Sequence, residues 1–164
     1  MIEVADQNSP IGELRVATKD EKLVGLAFVD SWTRVERHLT RWFPDDDIRL
    51  ATRARAIGDR LSAYMTGELD GLAELPIETA GTDFQRRVWT AIQEVPPGET
   101  ESYTELARAA GNPNAVRAAG TACGANPVWL VIPCHRIVRS DGDLGNYGGG
   151  LERKEWLLAH ERRP

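Results

Sequence analysis

Between residues 82 and 124 the chain carries more helix-boundary signals than one long helix or a sheet can accommodate. Thr82 with Gln85, and Ser102 with Glu105, have the spacing of a capping box. In that arrangement the hydroxyl caps a helical N–H and the Gln or Glu returns the bond. Phe84, Val88, Ala91, Ile92 and Val95 follow the first box at helical spacing, and Pro96-Pro97-Gly98 stops the segment. The second box opens a helix over 103–110, which Gly111 closes. Asn112 is placed to cap a third helix, with Pro113 at its first position, where a missing N–H is harmless. That helix is expected over 113–124. Two short helices joined by a Gly-Asn turn read as a helix-turn-helix, although a helical hairpin inside a core has the same pattern.

The content of the third helix bears on that choice. It reads NAVRAAGTACGA, nearly all small residues around one arginine, Arg117. Small residues such as Ala118 and Gly120 let a backbone approach a surface as narrow as a DNA minor groove, about 6 Å wide. A lone long cation among them can then reach into the base stack. A tightly packed internal helix whose arginine snorkels to solvent fits the same spacing.

The rest of the composition narrows the class. The chain has 164 residues, 25 acids against 20 bases, and a net charge of −5, which excludes a polybasic coat for nucleic acid. Residues 1–81 hold 15 acids and 10 bases; residues 82–164 hold 10 of each. No apolar run is long enough to span a membrane, and MIEVADQNSP has no signal-peptide pattern. Two cysteines and three histidines, in no metal-ligand spacing, predict neither a disulfide framework nor a metal site. The thiols are expected to stay reduced in a cytoplasmic protein.

The first lobe, 1–81, predicts an α+β arrangement. Runs at 11–18 and 23–29, joined by Lys19-Asp20-Glu21-Lys22, read as a β-hairpin with Ile11, Leu14 and Val16 facing Leu23, Leu26 and Phe28. Thr33 and Glu36 have capping-box spacing before a helix carrying Val35, Leu39 and Trp42. A second helix is expected over 51–66, and a strand at Leu75 and Ile77. Asp45-Asp46-Asp47 reads as a solvated loop. The fold class is therefore α+β: a hairpin-and-helix lobe, then a mostly helical lobe over 82–164 containing the helix-turn-helix.

Val128-Trp129-Leu130-Val131-Ile132 reads as a buried strand running into Pro133-Cys134-His135-Arg136. A cysteine there with histidine beside it is a candidate nucleophile, since imidazole can take the thiol's proton. A buried structural cysteine fits the dipeptide equally well. In LERKEWLLAHE, Leu151, Glu155 and Leu158 fall at i, i+4 and i+7, which sets Glu155 in an apolar stripe where it needs a partner. His135 is one such partner, giving Cys134, His135 and Glu155 as nucleophile, base and orienter. Pairing of Glu155 with Arg153, Arg162 or solvent is the alternative. Asn146-Tyr147-Gly148-Gly149-Gly150 reads as a loop able to close on a flat ligand, or as a plain linker.

Together these stretches resemble the O6-alkylguanine-DNA alkyltransferases. TDFQRRVWTAI, PPGETESYTELA, GNPNAVRAAG, ANPVWLVIPCHRIV and NYGGGLERKEWLLAHE occur in that family's order, covering 82–161. The resemblance implies a protein that binds duplex DNA, flips out O6-alkylguanine and transfers the alkyl group irreversibly to its own cysteine. It implies Cys134 as acceptor, His135 as base acting through a water, Glu155 as orienter and Asn126 as brace of the turn. Tyr103 would donate toward the flipped base and crowd the target phosphate, and Arg117 would fill the vacated stack, with Ala118 and Gly120 beside it on the DNA. Tyr147, the backbone of Gly148, the carbonyls of Cys134 and Ile137, and Cys123 would line the pocket. Many relatives have serine at Gly148. A second reactive thiol at Cys123 stays open. No cofactor or metal is implied; the partner is double-stranded DNA carrying the lesion, with no membrane, and the chain is expected to be a monomer, clustering on DNA being left open. A damage sensor without repair and a Cys-His-Glu thiol hydrolase are the other classes. Arg86, Arg87, Arg108 and Arg117 would have to supply the local positive patch that the net charge does not.

Overall fold

The computed structural model describes residues 1–52 and 54–162, so position 53 of the helix expected over 51–66 lies outside the described residues. The chain divides into two compact units: Met1–Thr79 with Pro127–Val131, and Ala80–Asn126 with Ile132–Pro164. Residues 127–131, which the sequence places in the second lobe, thus complete the first.

In the first unit, β1 (Ile2–Gln7), β2 (Leu14–Lys19), β3 (Lys22–Phe28) and β4 (Ile48–Leu50) form one sheet of order β3-β2-β1-β4, antiparallel except for the β1–β4 pair. The hairpin register pairs Leu14 with Phe28 and Val16 with Leu26, as the alternation requires, whereas Leu23 pairs with Thr18 and Ile11 precedes the strands. Asp20 and Glu21 both take positive φ (50° and 65°), the left-handed pair that a two-residue hairpin loop demands. β4 carries no pattern that would have announced it, being exposed throughout, and β1 alternates only over Ile2-Glu3-Val4.

α1 (Trp32–Trp42) buries Trp32, Val35 and Leu39. Gly25 in β3 makes room for it, since a Cβ there would lie 2.8 Å from Val35. The capping box expected at Thr33 does not form. The chain enters α1 directly from a 3₁₀ turn (Val29–Ser31), so Thr33 is already helical and Ser31, at ψ 7°, lacks the extended backbone that a cap needs. α2 (Arg55–Met65) follows, and Ile77 makes a single bridge to Leu23 in place of a strand.

The predicted strand at 128–132 is likewise absent. Val128 bridges Leu26, and the free edge of β3 exchanges hydrogen bonds with Pro127 and Trp129. Leu130 then has φ 71° between Trp129 O and Val131 N, bonded at 2.8 Å, which is a γ-turn. The apolar run is buried as expected, but it covers a sheet edge and turns sharply.

The second unit holds α3 (Asp83–Gln93), β5 (Glu101–Ser102), α4 (Tyr103–Ala109), α5 (Val116–Gly124), β6 (Ile137–Val138) and α6 (Leu151–Glu161). Both boxes, at Thr82/Gln85 and Ser102/Glu105, form with reciprocal bonds. α4 ends with Gly111 at φ 90°: Asn112 N bonds Ala107 O and Gly111 N bonds Arg108 O, a Schellman closure. α5 begins at Val116 rather than at Pro113, because Asn112–Ala115 first closes a separate turn. Trp89 of α3 donates its indole N–H to Ala122 O on α5 at 2.9 Å. Among the described residues no helix is long and apolar enough to cross a membrane.

Candidate active site and nucleic-acid interface

Cys134 opens a 3₁₀ turn, Cys134–Arg136. Pro133 (φ −81°, ψ 65°) sets it up by an inverse γ-turn in which Cys134 N bonds Ile132 O at 2.8 Å. Asn126, buried, donates its side-chain amide to the same Ile132 carbonyl at 2.7 Å. It thereby ties the two points where the chain leaves and re-enters the second unit. β5 and β6 pair in parallel, Glu101 with Ile137 and Ser102 with Val138, so the residue after β5, Tyr103, is fixed to the segment after the Cys134 turn.

The Cys134 sulfur is almost fully buried. Its thiol is held below the usual range by a hydrogen bond from Cys123, against the opposing effect of burial, with help from the Asn126 amide, the Lys154 charge and its own backbone N–H. Cys123, on the buried face of α5, is pushed the other way, first by that shared hydrogen bond and then by burial. Tyr103 is pushed up to about 12 by burial and by the neighbouring sulfurs, so its phenol stays protonated at neutral pH. Its ring lies between two glycines: a Cβ on Gly120 would come within 3.7 Å of it and one on Gly145 within 3.2 Å.

The carboxylate that meets His135 is Glu161 and not Glu155. His135 is fully buried, and its Nε2 lies 2.9 Å from Glu161 Oε2. Arg136 grips the same carboxylate through Nε (2.8 Å) and Nη2 (2.7 Å), and gives Nη1 to Val95 O at 2.7 Å. Burial raises the Glu161 carboxyl, but the Arg136 and His135 bonds outweigh it and hold it far below the carboxylate range. Burial keeps His135 below its ordinary value against the pull of Glu161, so the imidazole is neutral at pH 7. With Nε2–H donated to Glu161, the other nitrogen, Nδ1, is the basic one; it is buried and has no protein partner.

Glu155 is exposed. Two stripes run along α6, and the one facing inward is Lys154, Leu157, Leu158 and Glu161, at i, i+3, i+4 and i+7; Leu151 lies outside it at 51% exposure. The sequence offers that stripe as readily as the other: it holds one charge of each sign, and spacing alone does not say which face turns inward. Lys154 finds its partners in carbonyls: its ammonium donates to Ile137 O (2.6 Å), Leu144 O and Asn146 O (3.2 Å). It therefore pins both ends of the loop 138–146, at the cost that burial lowers its own proton affinity.

Tyr147 is half-buried with its ring 6.5 Å from the His135 ring, edge to face, and Gly148 follows it. Arg117 and Ala118 lie on the exposed face of α5, while Ala119, Ala122 and Cys123 face inward. The small residues of this helix thus serve both readings at once, close packing inside and an open face outside. Arg86, Arg87 and Arg108 are exposed as well. No cluster of metal-ligating side chains occurs among the described residues.

Comparison with known proteins matches residues 83–163 to the family described as 6-O-methylguanine DNA methyltransferase, DNA binding domain. A methylated-DNA–protein-cysteine methyltransferase of Mycolicibacterium paratuberculosis is 44% identical over 163 residues, 99% of this chain and 94% of the relative. A structure of Mycobacterium tuberculosis OGT in complex with DNA superposes with TM-score 0.84 at 36% identity, covering 98% of this chain and 92% of that one. The O6-methylguanine-DNA methyltransferase of Pyrococcus kodakaraensis superposes with TM-score 0.75 at 26% identity, covering 98% and 99%. Similarity at this level runs through both units and through the turn that holds the buried cysteine, and the chain belongs to the methylated-DNA–protein-cysteine methyltransferase family.

Proposed function

We propose that this chain repairs O6-alkylguanine in double-stranded DNA by moving the alkyl group onto Cys134, once per molecule. The observation that carries the reading is a buried cysteine, held toward thiolate, beside a neutral histidine locked to a carboxylate. These groups share a compact unit with a helix-turn-helix that exposes Arg117.

In the proposed reaction His135 Nδ1 accepts the Cys134 proton through a water, and the resulting imidazolium is stabilised by Glu161. The thiolate attacks the alkyl carbon in line with the C–O6 bond. The carbon–sulfur bond forms, the C–O6 bond breaks, and guanine leaves with the electron pair. The proton lost from the thiol balances the one the leaving base takes up, with the Tyr103 phenol donating toward it. The thioether has no leaving group that water can displace under these conditions, so the acceptor is spent.

The base must leave the duplex to meet a buried sulfur, at a cost of a few kcal/mol. Arg117 is assigned to fill the vacated stack, with Ala118 and Gly120 allowing close approach of α5. Tyr147 and the Gly148 N–H are assigned to the alkylated edge. The carbonyls of Cys134 and Ile137 are assigned to the guanine edge. Ile137 O already takes a proton donor from Lys154, which leaves its second lone pair for the base. A reduced acceptor thiol fits a cytoplasmic protein.

Intact mass after mixing with an O6-methylguanine duplex tests this. The expected result is a gain of one methyl, mapped to Cys134, and a yield that stops at one equivalent. Sustained turnover would indicate a thiol hydrolase. Binding without mass gain would indicate a damage sensor.

A further inference from the structure

After β6 the chain reads Arg139-Ser140-Asp141-Gly142-Asp143, a spacing that invites the arginine to pair with one of the two acids. The structure pairs it with neither. Asp141 Oδ1 accepts the Asp143 N–H at 2.9 Å, and Asp143 Oδ1 accepts the Gly145 N–H at 3.1 Å, two side-chain turns in succession. Among the described residues no hydrogen bond or ion pair engages the Arg139 guanidinium, and the side chain is exposed.

Its place is nonetheless fixed. The parallel register sets Glu101 against Ile137 and Ser102 against Val138, so the next residues in line are Tyr103 and Arg139. Bonds from Arg139 N to Asp143 O (2.9 Å) and from Gly142 N to Arg139 O (3.0 Å) close the turn immediately. The Ser140 and Thr104 hydroxyls meet at 3.1 Å and tie that turn to α4. The point that a Cβ on Gly145 would occupy is 3.4 Å from the Tyr103 hydroxyl oxygen and 3.5 Å from Arg139 Cγ. The arginine stem and the phenol tip therefore rest against the same glycine.

We infer that Arg139 is a substrate-binding residue: its guanidinium takes the phosphodiester of the nucleotide whose base passes Tyr103. This rests on the proposed reading, in which Tyr103 meets the flipped base. A base and its phosphate are joined through one sugar, so a base drawn in beside Tyr103 brings its phosphate to the surface next to it. Guanidinium matches a phosphate in shape and charge, and such contacts fix position without reading sequence. The nearby cations are committed elsewhere. Lys154 is buried with its ammonium on carbonyls, and Arg136 is buried on Glu161. Arg117 is assigned to the vacated stack.

The test compares the intact parent chain with Arg139→Ala and Arg139→Lys, each checked by circular dichroism. Binding is read by fluorescence anisotropy of an O6-methylguanine duplex across salt, and alkyl transfer by single-turnover rate. Arg139→Ala should weaken duplex binding about three- to tenfold at low salt, the size of one charge-assisted contact at an exposed site. Its plot of log K against log salt should be shallower by about 0.9, the share of one phosphate. Arg139→Lys keeps the charge and should keep the parent slope. The kinetic loss should fall on the half-saturating DNA concentration, and it should be far smaller with free O6-benzylguanine, which carries no phosphate. A second measurement locates the contact with duplexes that carry a single neutral methylphosphonate at successive positions around the lesion. At one phosphate adjoining the lesion, the parent should lose about three- to tenfold in affinity and Arg139→Ala less than about twofold, because the contact is already gone. Equal sensitivity of parent and Ala variant at both adjoining phosphates overturns the proposal. So do an unchanged salt slope in the Ala variant, or equal losses on duplex and free base. If no methyl reaches Cys134, the functional reading fails, while the salt slopes and the phosphonate series still decide the role of Arg139.

Discussion

Glu161 meets a histidine and an arginine at once, and the two partnerships have different consequences when they are lost. Replacing Glu161 by Gln leaves Arg136 buried beside a neutral amide, which should cost roughly 3–5 kcal/mol of stability, as breaking a buried pair does. It also removes the charge that supports imidazolium, so alkyl transfer should slow by roughly 100-fold or more. Glu155→Gln is the control: on an exposed face it should alter neither urea midpoint nor rate. Equal effects in the two variants would contradict the assignment of Glu161. The sequence made Cys134 and His135 legible because both sit in one short motif. It did not make Glu161 legible, because the choice between two stripes on α6 depends on which face meets the Cys134 turn. Local spacing carries no information about that. The same holds for Lys154, whose partners are backbone carbonyls and therefore leave no side-chain signature.

At the scale of elements, boundaries were legible wherever a residue closes a helix end locally: Thr82 and Ser102 by their hydroxyls, Gly111 by its left-handed backbone, all where the spacing put them. Thr33 has the same spacing and failed, because a 3₁₀ turn runs directly into α1 and leaves Thr33 already helical. β4 was not legible because it is exposed and its partner β1 is distant in sequence, and β1, though it pairs with neighbouring β2, alternates over only three residues. The α4–α5 pair carries its own prediction. Arg117→Ala should weaken repair of duplex DNA far more than reaction with free O6-benzylguanine, since a free base leaves no gap to fill. Equal losses in the two rates would refute the stack-filling role. Gly145 and Gly120 flank Tyr103 unequally. Gly145→Ala adds a Cβ at φ 72°, 3.2 Å from the ring, and should cost about 1–2 kcal/mol and slow transfer by displacing Tyr103. Gly120→Ala adds one at 3.7 Å inside a helix and should stabilise the fold by up to about 1 kcal/mol, read as a higher urea midpoint.

For the molecule as a whole, acidity is the informative variable. His135 and Glu161 both have folded values below their ordinary ones, 6.5 and 4.5. The unfolded chain therefore takes up protons first as pH falls, and the stability these groups contribute is present above about pH 6.5 and lost below it. Urea midpoints should fall from pH 7 to pH 4 with an unchanged slope, and the part of the fall near pH 4.5 should vanish in Glu161→Gln. A flat profile would mean that neither group differs between folded and unfolded chains. The net charge of −5 adds a second whole-molecule constraint: DNA affinity must come from a local patch, since the chain as a whole repels the duplex.

The path of residues 127–131 bears on how far this protein is modular. The chain leaves the second unit after Asn126, completes the first, and returns at Ile132 just ahead of Cys134. Its halves are therefore stitched rather than strung. A cut at residues 79 and 80 separates the polypeptide but not the architecture, because a fragment beginning at 80 still carries Val128, Trp129, Leu130 and Val131, which belong with strands it no longer has. Those residues would be left as an uncovered apolar loop a few positions from Cys134. An insertion between 126 and 132 would separate the two ends that Asn126 ties together. For a protein of this plan, exchange of the amino-terminal lobe between relatives has to carry two segments of chain, and the shorter one is copied along with the active-site motif.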